Sequence, residues 1–331
     1  MALASQPGHL DGISRRLPTP ALWRGGLLCC ALLIGVIPNL HSAPLSRSAA
    51  APARALPHQS TSQAQTNEPT RQAAKLEWFP DTHFYPRYIA DPLRPTFSAQ
   101  TMFFDYTEIP DAGRRRFGLK IGGRLGLLRL PRRTNPDLGW QLALEVGFHG
   151  QFDVDESQDN IGWDGIYALD AAYRLSEALA FRVGTRHISA HIGDEYMQRT
   201  GRERIQYTRQ EIRAGLVWSI KKRLQTYADA GYGYDSLNRE LQEPWRVQAG
   251  VQYEDPFVWA RQRFGWYAAL DLSTYEESDW SVNAAIQAGL VYPAKQRRWR
   301  LGVEYYDGRS QLGEFFQFKE RYTSLGIWMD L

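Results

Sequence analysis

Cysteine is almost missing from this chain: its only two, Cys29 and Cys30, sit side by side near the N-terminus. Both lie in an apolar stretch from Leu27 to Ile37, preceded by Arg15, Arg16 and Arg24 and followed by the small residues Ser42 and Ala43. Basic, then apolar, then small is the order of a secretory signal, so residues 1–43 are predicted to be a signal peptide. The cysteine pair lacks the small residue that a lipoprotein site needs before its Cys, and Leu17-Pro18 fits the twin-arginine route badly. Removal of the signal leaves a mature chain without cysteine, which cannot be trapped by wrong disulfides in an oxidising compartment.

Long apolar runs are missing as well. Beyond the signal nothing approaches the ~18 consecutive apolar residues of a membrane-spanning helix, and the mean hydropathy is −0.46. Nor is there an excess of one charge. The chain carries +3 in total, and about +1 remains once the signal is gone, which leaves no electrostatic footprint for nucleic acid.

What the chain has is aromatics (13%), 28 Gly, 11 Trp and a two-residue rhythm. From Tyr322 to Leu331, Thr323, Leu325, Ile327, Met329 and Leu331 alternate with Tyr322, Ser324, Gly326, Trp328 and Asp330. One apolar face and one mixed face is the pattern of a strand in an outer-membrane barrel, whose lipid side takes alternate residues only. The rhythm recurs upstream through about twelve segments, the first at 97–107 and the last at 321–331. In the segment 139–153, Trp140, Leu142, Leu144, Val146, Phe148 and Phe152 share one face, and Gln141, Glu145, His149, Gln151 and Asp153 the other. Backbone groups inside a bilayer must all be hydrogen-bonded, so such strands have to close on themselves. A soluble β-sandwich would show shorter strands and only one apolar core face. The predicted fold is therefore all-β: a closed, antiparallel transmembrane β-barrel of about twelve strands over residues 97–331, in the bacterial outer membrane.

The rest of the chain divides by composition. Residues 44–73 are Ala, Ser, Pro, Gln and Thr, a disordered linker. Residues 74–96 mix aromatics with prolines, predicting an ordered, irregular segment docked on the periplasmic mouth. An even strand number puts both barrel ends in the periplasm. Short connections then fall inside (Ser176–Ala178, Lys221–Arg223, Pro293–Arg297) and long ones outside (Val154–Gly162, Ile192–Ile205, Ser236–Pro244, Gly308–Glu320). Pro131–Leu138 and Glu254–Arg263 are longer than that rule predicts.

The inward face interleaves both signs, with Arg124, Glu145, Asp170, Arg182, Arg186, Glu211, Arg213 and Asp229 among them. A selective pore more often has a one-signed lining. Mixed signs predict a salt-bridged filling, because unpaired charges there are costly. The leading expectation is a structural or envelope-associated barrel, with a porin-like channel as an alternative.

One segment could carry chemistry. On the strand from Leu179, the face of Phe181 and Val183 continues through Thr185, His187, Ser189 and His191, which therefore point toward lipid. If the hairpin is symmetric, His187 lies opposite Gln210 and Ser189 opposite Thr208, within side-chain reach. A serine hydroxyl becomes nucleophilic when a base accepts its proton and a third group orients that base. Ser189 as nucleophile, His187 as base and Gln210 as orienting amide fit those roles. Asp194 and Glu195 are alternative orienters or ligands for a hard cation such as calcium. His187, His191 and Asp194 do not make a closed zinc set, which needs four ligands.

The His-x-Ser pair facing outward on a barrel strand resembles the outer-membrane phospholipase A and lipid A deacylase families. That resemblance implies a lipid acyl hydrolase, with calcium as a cofactor if so. It covers His187 and Ser189 alone: the Asn-Gly after the serine is replaced by Ala190-His191. A wider resemblance rests on Trp78-Phe79-Pro80, on Ile89-Ala90-Asp91-Pro92-Leu93-Arg94-Pro95 with Phe97, and on His187 through Tyr196. In that order these motifs resemble the bacterial domain-of-unknown-function 1207 family. The resemblance implies a secreted, outer-membrane-associated protein and marks Asp91, Pro92, His187, Ser189, His191, Gly193, Asp194 and Glu195 as signature residues. Expected partners are outer-membrane lipids, the barrel-assembly machinery during biogenesis and, since a second subunit could complete an outward site, another copy of the chain.

Overall fold

The computed structural model describes residues 75–221, 223–236, 240–259, 264–294 and 297–330. The predicted signal peptide (1–43) and linker (44–73) lie outside the described residues.

Twelve long strands close into one antiparallel barrel: β2 (Phe97–Thr107), β3 (Arg115–Arg132), β4 (Asn135–Asp153), β5 (Asp159–Arg174), β6 (Leu179–Ile192), β7 (Thr208–Lys221), β8 (Leu224–Ser236), β9 (Trp245–Trp259), β10 (Phe264–Tyr275), β11 (Val282–Ala294), β12 (Arg297–Arg309) and β13 (Lys319–Asp330). Each pairs with its neighbours in sequence, and β13 returns to β2 from Met329↔Phe97 to Glu320↔Thr107, which closes the wall. A two-residue strand, β1 (Glu77–Trp78), pairs with β3 below the start of β2. The end where β2 begins and β13 finishes is here the near end, and the other the far end. The wall follows the two-residue rhythm. In β6 Ala180, Arg182, Arg186, Ile188, Ala190 and Ile192 are buried while Phe181, Val183 and Thr185 are exposed.

The Pro131–Leu138 connection differs from expectation. The strands run on to Arg132 and from Asn135, so only Arg133 and Thr134 turn. Pro131 is accommodated within β3 beside a register shift, opposite Gly139, whose φ of +138° a side chain would rarely tolerate. The long Glu254–Arg263 connection shortens in the same way, because β9 continues to Trp259.

The lumen is full. Residues 79–96 do not rest at the mouth but pass inside. Phe84 N donates to Gln141 Oε1 (2.7 Å) and Ile89 N to Gln252 Oε1 (2.8 Å), while Lys120 Nζ donates to Pro92 O (2.6 Å). Arg94 pairs with Asp330 at 2.8 Å, and Leu93 reaches a cluster of Ile166, Ile188, Tyr207 and Phe316. A Cβ on Gly126 would strike Pro80, and one on Gly122 or Gly147 would crowd Pro95. The inner face of β3 and β4 is thus flat where the segment leans on it.

Around this plug runs a continuous ion network. Arg124 pairs with Glu145, Glu145 with Arg213 (2.8 Å), and Arg213 with Asp170. Arg182 bridges Asp170 and Asp229, and Arg246 bridges Asp229 and Glu211. Glu211 also holds Arg186 (2.9 Å) and Arg209 (3.2 Å). This is the salt-bridged filling that mixed signs predict. A vestibule of about 730 Å³ opens at the near end, floored by the plug. A space of about 60 Å³, room for a few waters, lies between the plug tip and the far-end loops.

The far end is capped by apolar packing. A short helix, α1 (Asp194–Thr200), brings Tyr196 into a cluster with Ile109, Ile161, Ile192, Leu312 and Phe315.

Candidate functional site

β5, β6 and β7 position an outward polar cluster near the far end. In the register, His187 faces Tyr167 on β5 and Gln210 on β7, and Ser189 faces Gly165 and Thr208. His191 faces Trp163 and stacks on it, with ring centroids 4.0 Å apart and planes 16° from parallel. The hairpin symmetry read from the sequence gives this register, and all three side chains are half-buried on the outer wall. Trp163, Tyr232 and Trp245 also face outward in the far-end halves of their strands, where aromatics suit a membrane–water boundary.

The contacts depart from the expected triad. Ser189 Oγ lies 3.2 Å from His191 Nε2, while no hydrogen bond to the His187 ring occurs among the described residues; that ring has Tyr167 beside it, 6.1 Å between centroids. Gln210 turns away from His187: its Nε2 donates to Asp235 Oδ2 at 3.1 Å, and its Oε1 accepts from the Tyr234 hydroxyl at 3.3 Å.

Arg204 decides the state of His191. Its Nη2 lies 3.3 Å from His191 Nδ1 and also donates to Ala190 O. A guanidinium only donates, so Nδ1 accepts and the ring hydrogen sits on Nε2, aimed at Ser189 Oγ. That tautomer cannot take a proton from Ser189. A serine-activating histidine needs the reverse, with an acceptor at Nδ1.

Of the other signature residues, Gly193, Asp91 and Pro92 have structural duties. Gly193 donates its N–H to Ile161 O at 2.9 Å, and a Cβ there would sit 1.7 Å from Asn160 O. Asp194 and Glu195 are exposed in the first turn of α1. Asp91 Oδ1 accepts from Leu93 N at 3.0 Å and shapes the plug tip, where Pro92 O holds Lys120. No group of three or more His, Cys, Asp or Glu able to hold a metal occurs among the described residues. Sequence reasoning missed Trp163 and Arg204. Extending the hairpin parity to β5 finds Trp163, whereas Arg204 lies in a loop without periodicity.

Solved structures of outer-membrane proteins are similar to this chain. An active-site mutant of the outer membrane phospholipase A from Escherichia coli is 10% identical with a TM-score of 0.50, over 75% of this chain and 95% of that one. LpxR from Salmonella typhimurium is 7% identical with a TM-score of 0.38, over 71% of this chain and 99% of that one. The NanC porin is 12% identical with a TM-score of 0.38, over 71% and 100%. At 10% identity the likeness to the phospholipase is one of fold alone. No curated protein matches the chain. The family described as "Protein of unknown function (DUF1207)" matches residues 31–330, and the chain belongs to that family.

Proposed function

We propose that the protein is an integral protein of the bacterial outer membrane with a structural, envelope-associated role, and that it is not a channel. The observation that carries this reading is the plug: residues 79–96 occupy the lumen and are hydrogen-bonded to β3, β4 and β9. Insertion by the barrel-assembly machinery and contact with outer-membrane lipids belong to the same reading. Folded protein in a planar bilayer is expected to give no current steps. Reproducible unitary conductance from the intact chain would overturn the reading, as would recovery of the processed chain in the soluble periplasmic fraction.

The outward register that sets His187 opposite Gln210 and Ser189 opposite Thr208 favours a second reading, a serine-dependent lipid acyl hydrolase. Ser189 Oγ would attack the ester carbonyl. A histidine would take its proton and pass it to the leaving alcohol, and water would then release the acyl group. His187 is the better base, since Arg204 holds His191 in the opposing tautomer. Gln210 would have to leave Asp235 to orient it, and a second copy of the chain against this wall could supply what is missing. Acyl release from phospholipid or lipid A that disappears in Ser189→Ala supports the hydrolase; release that persists in that variant removes it.

A further inference from the structure

The two ends of the barrel are oppositely charged. Among the described residues, the near-end connections (131–138, 174–179, 221, 223 and 297–298) hold seven Lys or Arg against two Asp or Glu. The far-end connections (108–114, 154–158, 193–207, 240–244, 276–281 and 310–318) hold four against thirteen. Two near-end cations are met by buried carboxylates, Arg223 by Asp255 and Arg298 by Glu254. A positive excess remains, and both side chains stay more than half exposed, at 54% and 55%.

These cations stand beside lipid-facing aromatics. Arg132 lies over the Tyr173 ring, 5.2 Å from its centroid, and donates to its hydroxyl. Tyr173 packs at 4.4 Å on Trp140, which is exposed on the outer wall. Exposed Lys221 follows outward Trp218 by three residues, and Arg297 and Arg298 directly precede outward Trp299. An aromatic belt sits where hydrocarbon meets headgroups, so charges one turn beyond it lie at phosphate depth. Guanidinium forks match phosphate oxygens two at a time.

We propose that the near-end rim binds the headgroups of anionic phospholipids, so that the barrel selects anionic over zwitterionic lipid in the leaflet that this rim faces. The acidic far-end loops repel the same headgroups, which gives the two ends opposite preferences. The proposal holds whether or not Ser189 is a nucleophile.

The test is native mass spectrometry of the folded full chain, released from nonionic detergent after incubation with equal amounts of phosphatidylglycerol and phosphatidylethanolamine. Retention of phosphatidylglycerol several-fold above phosphatidylethanolamine is expected, with the preference shrinking as salt screens the rim. Combining Arg132→Gln, Arg133→Gln, Lys221→Gln and Arg297→Gln should lower that preference by about threefold or more. Arg114→Gln with Lys319→Gln, at the far end, should leave it unchanged. Should the quadruple variant fail the heat-modifiable mobility test for a folded barrel, the salt series on the natural chain decides. A salt-independent preference, equal retention of the two lipids, or an unaltered preference in the folded variant overturns the proposal. So does co-sedimentation with peptidoglycan in the absence of any lipid preference.

Discussion

Tyr88 of the plug lies flat on Tyr227 of the wall, with ring centroids 3.7 Å apart and planes 3° from parallel. The guanidinium of Arg182 sits 4.9 Å from the centre of the Tyr88 ring and 5.0 Å from that of Tyr85, and the two plug hydroxyls are hydrogen-bonded. Directly across, Gly215 leaves room that a Cβ would take from both hydroxyls. This stack and cation add to the hydrogen bonds and the Arg94–Asp330 pair that fasten a segment with no strand of its own. Truncating either ring of the stack removes buried area and a face-to-face contact together, a loss of about 3 kcal/mol. Tyr88→Ala is therefore expected to speed tryptic cleavage at Arg87 by orders of magnitude while β2–β13 stay folded. Deleting residues 79–96 is expected to turn a silent barrel into one that passes current. Unchanged cleavage in Tyr88→Ala, read by gel and mass spectrometry, would show that the stack does not hold the plug.

Acid should loosen the same segment. Burial, reinforced by the nearby Arg124, pushes the His83 imidazole down from 6.5 to about 3, and Gln141 Nε2 lies 3.4 Å from its Nδ1. Because the pKa is lower in the folded state, His83 contributes stability above 6.5 that is lost as pH falls from there toward 3. By pH 5 the loss is about 2 kcal/mol at most. Plug cleavage should accelerate between about pH 7 and pH 5 in the natural chain and change much less in His83→Gln. Parallel acid profiles for the two would exclude His83 as the source.

Charge pairs should differ by place. Glu211 is wholly buried and holds Arg186, Arg209 and Arg246. Glu211→Ala leaves three guanidinium groups without their shared carboxylate, an expected cost of about 3–5 kcal/mol. Arg321 and Asp307 form a pair at 2.8 Å, but with side chains 47% and 43% exposed. Arg321→Ala should cost about 0–1 kcal/mol. Urea unfolding of both variants in the same lipid measures the difference. Similar midpoints would mean that the lumenal network does not stabilise the barrel.

The wall was legible because burial on one side and lipid on the other impose a period of two, and β2 begins and ends where that period does. Pro131 and Pro136 hid the end of the β3–β4 hairpin. A proline reads as a breaker unless the register shift and the glycine opposite it are known. The depth of the plug was not legible at all, since an irregular, proline-rich segment has no period to show which way its side chains face. At the candidate site, parity found the face and the register found Gln210. Which histidine meets Ser189, however, depends on Arg204 and Trp163, one from a loop and one from the neighbouring strand. Alternation fixes sides; it does not choose partners.

Gly193 separates the structural duty of the signature from any catalytic one. Its φ of −70° is ordinary, so the backbone alone would accept any residue. The obstacle is Asn160 O, which a Cβ would meet at 1.7 Å. Gly193→Ala must therefore push α1 away from β5, disturbing the N–H contact to Ile161 O and the seat of Tyr196, whose hydroxyl donates to Pro110 O at 2.5 Å. The expected cost is a few kcal/mol, about 1–3 for overpacking, concentrated in the far-end cap. Hydrogen exchange should quicken across 193–207 and 310–316 and stay unchanged in the near-end halves of β10–β12. Since Ser189 and His191 lie on the opposite face of the wall from this cap, ester cleavage, if the chain performs it, should survive Gly193→Ala but not Ser189→Ala. Loss of cleavage in both, with β6 exchange unaltered, would tie α1 to the chemistry instead.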